Sequence, residues 1–328
     1  MICVAPPPPP LVEVENLSLD FEGGAKPAVR DFSFKLAAGE IVGLVGESGS
    51  GKSVSALYLM GLMPPSATVR SGRLLFKGED VGRLSPRQRR QLSGTKLGLI
   101  FQEPLTALNP VMTIGEQVDE IFRLRAGQNR RTARASALAL LARVGLPNPA
   151  EAAERYPHHF SGGMRQRVVI ALALALAPEV LVADEPTTAL DPTIAAQILN
   201  LLTRLAAEDG SAVLLITHNL RLLKNRAHRV MVMYTGLVVE EGESGDIFAR
   251  PAHPYTAGLL AALPPPLDEP PPARLTAIPG APPSPKAWPP GCPFEPRCQA
   301  AAPLCRTEMP PLANLRAGQR VRCFFPLR

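Results

Sequence analysis

The sequence lacks any uninterrupted apolar run near the roughly 20 residues that span a bilayer. Its longest candidate, residues 168–183, is interrupted by Pro178 and Glu179. The chain is therefore not expected to cross a membrane by itself. Targeting features are equally sparse at the start, where Met1 to Ala5 is followed by five prolines. Neither the basic start nor the apolar stretch of a signal peptide is there, so a cytosolic location is expected. Cysteine is scarce, with five in 328 residues, and in a cytosolic chain this argues against a disulfide framework. Four of the five crowd near the C-terminus, which points toward metal ligation. No internal repeat is visible, and there is one phosphate-loop motif.

A chain of this length can bury a sizeable core, roughly 75% of its unfolded surface by size scaling, and suggests two domains. The 37 prolines are unusual and cluster at the ends. A net charge of +6 permits contact with nucleic acid or an anionic membrane and selects neither.

The segment Gly46-Glu47-Ser48-Gly49-Ser50-Gly51-Lys52-Ser53 fits G-x-x-x-x-G-K-[ST] at every constrained position. Before it, Ile41 to Val45 is apolar and rich in β-branched residues, as a buried parallel strand should be. After it, Val54 to Met60 can run on as a helix. Glycines let the backbone curl so that several N–H groups face one anion, and the positive end of the helix dipole adds to the field. Lys52 is expected to reach the β- and γ-phosphates of a nucleotide, and the Ser53 hydroxyl to ligate Mg2+.

Around this loop, Leu11 to Phe21 reads as one or two edge strands and Ala28 to Leu36 as another. Leu74 to Phe76 reads as a further strand. Ser85-Pro86 starts a basic helix, and Leu97 to Phe101 returns to strand. From about 103 to 178 the chain is rich in Ala, Leu and Arg without a strand signal, which predicts an inserted helical subdomain. Val180 to Ala183 and Ala212 to Ile216 are apolar strands with helix between them, the alternation of a parallel sheet covered on both faces. Val230 to Tyr234 and Leu237 to Val239 form a hairpin about Gly236. Proline dominates from Pro264 to Pro290, predicting an extended linker or arm, and a compact element follows from Gly291.

Two further segments carry chemistry. Strand 180–183 runs into Asp184 and Glu185. An aspartate there can hold Mg2+, and the glutamate can polarise a water for attack on a γ-phosphate. Ser161-Gly162-Gly163-Met164 precedes a long apolar helix that Ser161 can cap while the glycines bare its N–H groups, giving a second anion-binding helix end. One chain with two such ends and a single loop points to a nucleotide held by another subunit.

Gly46 to Ser53, Gln102, Ser161 to Met164, Asp184-Glu185, Ala189-Leu190-Asp191 and His218 occur in the order found in ATP-binding cassette (ABC) ATPases, which the chain resembles from about Leu11 to Phe248. The stretches 101–110, 160–167 and 185–191, with His253-Pro254-Tyr255-Thr256, resemble the dipeptide/oligopeptide (peptide/nickel) importer branch. The resemblance implies an α/β fold: a P-loop NTPase core with an antiparallel β subdomain, the inserted helical subdomain, and a small C-terminal cysteine-containing extension. Its divisions are a proline-rich lead (1–10), a nucleotide-binding domain (11–250), the His253 segment with the linker (251–290), and the four-cysteine element (291–328).

By the same resemblance, Phe21 stacks on adenine and Gln102 senses Mg2+ and water. Asp191 communicates across a head-to-tail dimer, His218 holds the γ-phosphate, and Ser161 to Met164 serve the ATP held by the partner. Phe160 and Met164 depart from the widest ABC pattern but suit the peptide-importer branch. The implied activity is ATP hydrolysis that energises import of di- or oligopeptides or a related solute. The implied partners are two membrane permeases, a second and different ATPase subunit and an extracytoplasmic substrate-binding protein, with the chain peripheral on the cytoplasmic face of the plasma membrane. A soluble ABC ATPase acting on nucleic acid or ribosomes is the alternative; without tandem cassettes or a coiled-coil insertion, no nucleic acid is expected.

Cys292, Cys298, Cys305 and Cys323 are separated by five, six and seventeen residues, unlike a zinc ribbon. In related importer ATPases such a quartet is associated with a [4Fe-4S] cluster, and four thiolates suit either that or zinc.

Overall fold

In the computed structural model of the chain, residues 10–21, 27–263, 277–283 and 288–327 are described. Most of the expected proline lead, Cys3 and most of the 264–290 linker lie outside them.

Strand β1 (Val12–Phe21) buries Val12 and Val14, then Leu17 and Leu19. The buried side switches from even to odd positions at Asn16, whose φ of 49° inserts an extra residue. The expected edge strand is instead central, lying between β2 (Val29–Leu36) and β4 (Ala67–Phe76). Between them in sequence come β3 (Ile41–Val45), buried at all five positions, and helix α1 (Lys52–Met60). Strand β4 begins seven residues before the expected Leu74. Residues 68–73 are exposed and mostly polar, so no apolar alternation marks them.

After the two-residue β5 (Glu79–Asp80), α2 (Pro86–Thr95) opens on a capping box formed by Ser85 and Gln88, and β6 (Leu97–Ile100) follows. The next stretch is helical as expected. It contains α3 (Pro104–Ala107), α4 (Ile114–Arg125), α5 (Arg130–Arg143), α6 (Pro149–Ala153) and α7 (Gly162–Leu174). Then come β7 (Val180–Asp184), α8 (Pro192–Asp209), β8 (Ala212–Thr217), β9 (Arg229–Tyr234) and β10 (Leu237–Glu243). The chain closes with α9 (Ser244–Ala249), α10 (Pro254–Ala261), α11 (Pro303–Thr307), β11 (Ala313–Arg316) and β12 (Gln319–Val321).

Two compact units result. Of the described residues, the first holds those within 10–12, 36–41 and 76–216. Here β7 pairs in parallel with both β6 and β8, with Leu181 opposite Gly98 and Val213. Leu181, Val213, Leu214 and Leu215 are wholly buried, each worth about 1.5–3 kcal/mol relative to exposure.

The second unit holds the described residues within 13–35, 42–75 and 217–327. In it β3 runs parallel to β9, with Leu44 opposite Met231. Strand β9 turns into β10 through Thr235 (φ 43°) and Gly236 (φ 81°), whose left-handed dihedrals match the strand twist of a tight hairpin. Strands β12 and β11 then extend this sheet antiparallel, with Glu240 opposite Val321. The C-terminal extension therefore joins the sheet that carries β3.

Candidate functional site

Strand β3 delivers the chain into the phosphate loop, whose first glycine is fixed by close approach. A Cβ on Gly46 would stand 2.1 Å from the Met233 carbonyl oxygen. Helix α1 starts at Lys52 from Gly51, which takes φ 102° and supplies no side-chain cap. With glycine at the N-cap, no side chain of that residue covers the positive helix end, where an anion is favoured. Lys52 is 4% exposed. Its Nζ donates to the carbonyls of Gly46 (2.8 Å) and Glu47 (2.9 Å) and to Ser50 Oγ (3.4 Å). Ser48 and Gly49 are exposed and Ser53 is half-buried. Phe21, half-buried at the end of β1, and His218, exposed just past β8, belong to the same unit as the loop.

Glu47 is held by residues from the C-terminal part of that unit. Its N–H donates to Tyr255 Oη at 2.9 Å. Its carboxylate accepts a forked pair from Arg297, Nη1 to Oε2 at 2.7 Å and Nη2 to Oε1 at 3.0 Å. Arg297 also donates to Tyr234 Oη (3.3 Å) and to the Pro279 carbonyl (2.9 Å). The Glu47 hydrogen bonds, which outweigh burial, raise the Arg297 pKa and keep the guanidinium charged. Burial pushes Tyr255 up, so its hydroxyl stays protonated.

Tyr255 is placed by its own neighbours. His253 Nδ1 accepts from the Tyr255 N–H at 3.0 Å and caps α10. The wholly buried Glu240 carboxylate accepts from the N–H groups of Ala252 (2.7 Å) and His253 (2.9 Å) and from Gln319 Nε2 (2.7 Å).

In the first unit, β7 ends at Asp184 and the chain turns at Glu185, whose φ of 46° is rare outside glycine. The Glu185 N–H donates to the Ile216 carbonyl at 2.9 Å. Its Oε2 accepts from Thr188 Oγ1 at 2.8 Å and from Gln102 Nε2 at 3.3 Å. Gln102 and Glu185, 83 residues apart, are thus brought together. Ser161 caps α7 by accepting the Met164 N–H at 3.3 Å, and Gly162, Gly163 and Met164 are half-buried at its first turn. A Cβ on Gly163 would approach Ile194 Cγ2 to 2.7 Å, so glycine lets α7 and α8 start side by side. Asp191 caps α8, its Oδ1 accepting the Ile194 N–H at 2.9 Å.

Cys292, Cys298, Cys305 and Cys323 line one small cavity of about 20 Å³ together with Phe294, Phe324 and Phe325. None forms a disulfide. Burial pushes Cys292 up to about 11 and also raises Cys298 and Cys323. Among the described residues, no three potential ligands stand close enough together to hold a metal ion. The donor set therefore fits a thiolate-bound group in kind, while its spacing does not form a ligand cage.

Residues 29–188 match the ABC transporter family, and residues 239–305 match the oligopeptide/dipeptide transporter C-terminal region. The chain is 46% identical over 319 residues to the dipeptide transport ATP-binding protein DppD of Escherichia coli (strain K12), covering 97% of each. The chain belongs to the ABC transporter ATP-binding subunits. Within them it falls in the dipeptide/oligopeptide branch. It is likewise 44% identical over 321 residues to the oligopeptide transport ATP-binding protein AppD of Bacillus subtilis (strain 168), covering 96% of each. Among solved structures it is similar to the ATP-binding cassette MJ0796, a dimer in a post-hydrolysis state bound to ADP and Pi (TM-score 0.63, 29% identity, 71% of this chain and 98% of that one). It is also similar to cbiO1 of Clostridium perfringens (TM-score 0.65, 26% identity, 74% and 91%).

Thr188, Tyr255 and Arg297 touch site residues, and no sequence motif assigns them a role. Thr188 falls within the branch stretch 185–191, and a lone threonine in a turn has no signal of its own. Tyr255 and Arg297 lie within the branch-specific region 239–305, some 200 residues and more from the loop they touch. The sequence cues are the His253-Pro254-Tyr255-Thr256 stretch for Tyr255 and, for Arg297, its place beside Cys298 in a proline-rich stretch.

Proposed function

We propose that this chain is the ATP-hydrolysing subunit of an importer for di- and oligopeptides, acting peripherally on the cytoplasmic face of the membrane. Likeness along nearly the whole chain to named peptide-transport ATPases carries this reading. Among the described residues, no helix is long and apolar enough to cross a membrane, so the work is expected to reach the membrane through two permease subunits. A second ATPase subunit and an extracytoplasmic substrate-binding protein complete the assembly. No observation favours action on nucleic acid.

In this reading the start of α1, with glycine at its N-cap, receives the phosphates, Lys52 neutralises the β- and γ-phosphates, and Phe21 stacks on the base. Ser53, Asp184 and Gln102 supply oxygen ligands, directly or through water, for Mg2+, which offsets charge on the β- and γ-oxygens. Glu185 accepts a proton from the attacking water, oriented for this by Thr188 and Gln102, while His218 donates to the γ-phosphate. Ser161 to Met164 complete the site of the partner subunit, and Asp191 relays the state of one site to the other. The four cysteines would hold a [4Fe-4S] cluster, with zinc as the competing outcome. Support comes from their facing one apolar-walled cavity, where a bound cation would offset the cost of buried thiolates.

The test is uptake of a labelled dipeptide by cells lacking this chain, complemented by wild type or by Lys52→Ala. Restoration by wild type alone is the expected result. Normal uptake without the chain, or full restoration by Lys52→Ala, contradicts the reading.

A further inference from the structure

We propose that Arg297 is a positioning residue of the phosphate loop: it holds and neutralises the Glu47 carboxylate, so the C-terminal cysteine element helps set the loop's affinity for ATP. Glu47 is the second residue of a loop built to receive a polyphosphate, and its carboxylate is a like charge beside that ligand. Such a charge weakens binding unless a cation is fixed against it. Arg297 is that cation. Its side chain is 4% exposed, against 30% for Glu47, and the two planar groups meet through two parallel hydrogen bonds, a geometry lysine cannot reproduce.

The guanidinium has no freedom to leave. Two further donors, from Nη1 and Nε, engage Tyr234 Oη and the Pro279 carbonyl. Its backbone closes the short turn Glu295–Arg297, between Cys292 and Cys298. The position of the charge is therefore set by how the cysteine element folds. From the other side, Tyr255 Oη takes the Glu47 N–H, removing that group from those that can turn toward a phosphate. Both contacts come from the region that marks this branch, so the branch-specific extension bears directly on the loop common to the wider family.

The inference rests on ATP binding at this loop, and the test separates the two. In the full-length chain, the ATP dissociation constant is measured by titration with a fluorescent ATP analogue, and KM and kcat are measured in the assembled transporter. Arg297→Ala should raise the dissociation constant and KM about tenfold, with kcat within about twofold, as expected for an uncompensated charge near the ligand. Combining it with Glu47→Gln should restore binding to within about threefold of wild type, because the repelling charge is gone. Wild-type affinity in Arg297→Ala overturns the inference, and so does equal weakness in the single and double variants, which would mark a merely structural role. If Arg297→Ala does not fold, Arg297→Lys carries the test. Loss of the fork should raise the dissociation constant about threefold, an effect that Glu47→Gln abolishes; an unchanged value overturns the proposal. Failure of the wild-type chain to bind ATP at all would instead sink the site reading.

Discussion

Thr188 Oγ1 donates to Glu185 Oε2 at 2.8 Å, and the Gln102 amide donates to the same oxygen at 3.3 Å. Two donors thus fix one oxygen of a side chain whose backbone is already held in the left-handed region. Thr188→Val preserves shape and removes the shorter bond. A hydrogen bond to a charged group is worth about 1.5 kcal/mol, so kcat should fall roughly tenfold with KM nearly unchanged. Steady-state ATPase assays check this; a raised KM at constant kcat would place Thr188 in ATP binding instead.

Gly46→Ala should be destructive for a purely steric reason. The added Cβ would stand 2.1 Å from the Met233 carbonyl oxygen, so either β9 or the loop must shift. A cost of about 2–3 kcal/mol in stability is expected, with a marked loss of ATP affinity, checked by thermal unfolding with and without ATP.

Much of this site is legible in the sequence because it is built from local motifs. The phosphate loop and the Ser161 cap each combine a glycine or capping residue with a neighbouring apolar strand or helix, and the Asp184-Glu185 pair ends an apolar strand. What escapes is long-range. The start of β4 carries exposed polar residues rather than an apolar alternation. The bulge at Asn16 hides the pattern of β1 by moving its buried side from one parity to the other. Strands β11 and β12 are four and three residues long, and β12 is tied to β10 by a long-range bond, Gln319 donating to the Glu240 carboxylate that also gathers the N–H groups of Ala252 and His253. A buried acid with three donors cannot be told from a solvated one in sequence.

His253 predicts an acid-sensitive fold. It is wholly buried, and burial pushes its pKa down to about 3, partly opposed by a hydrogen bond with the Arg322 backbone. In the unfolded chain the value returns to about 6.5. The native state therefore favours the neutral ring, and its contribution is complete above about pH 6.5. As pH falls toward 3 it is lost at up to about 1.4 kcal/mol per pH unit. His253→Asn keeps a capping acceptor for the Tyr255 N–H and cannot titrate. Its unfolding midpoint should fall less steeply than wild type between pH 6.5 and 4. Parallel curves would contradict the assignment.

For the cysteines, anaerobic purification followed by iron, sulfide and zinc analysis discriminates the outcomes. About four irons and four sulfides per chain are expected for the cluster. Stoichiometric zinc without iron would replace that assignment, and metal-free protein would remove both.

Glu185 as the base of the ATP site is tested by Glu185→Gln in the assembled transporter. The variant should bind ATP with near wild-type affinity, while hydrolysis falls by about 100-fold or more, the scale of a lost general base. Wild-type turnover in Glu185→Gln would contradict the account.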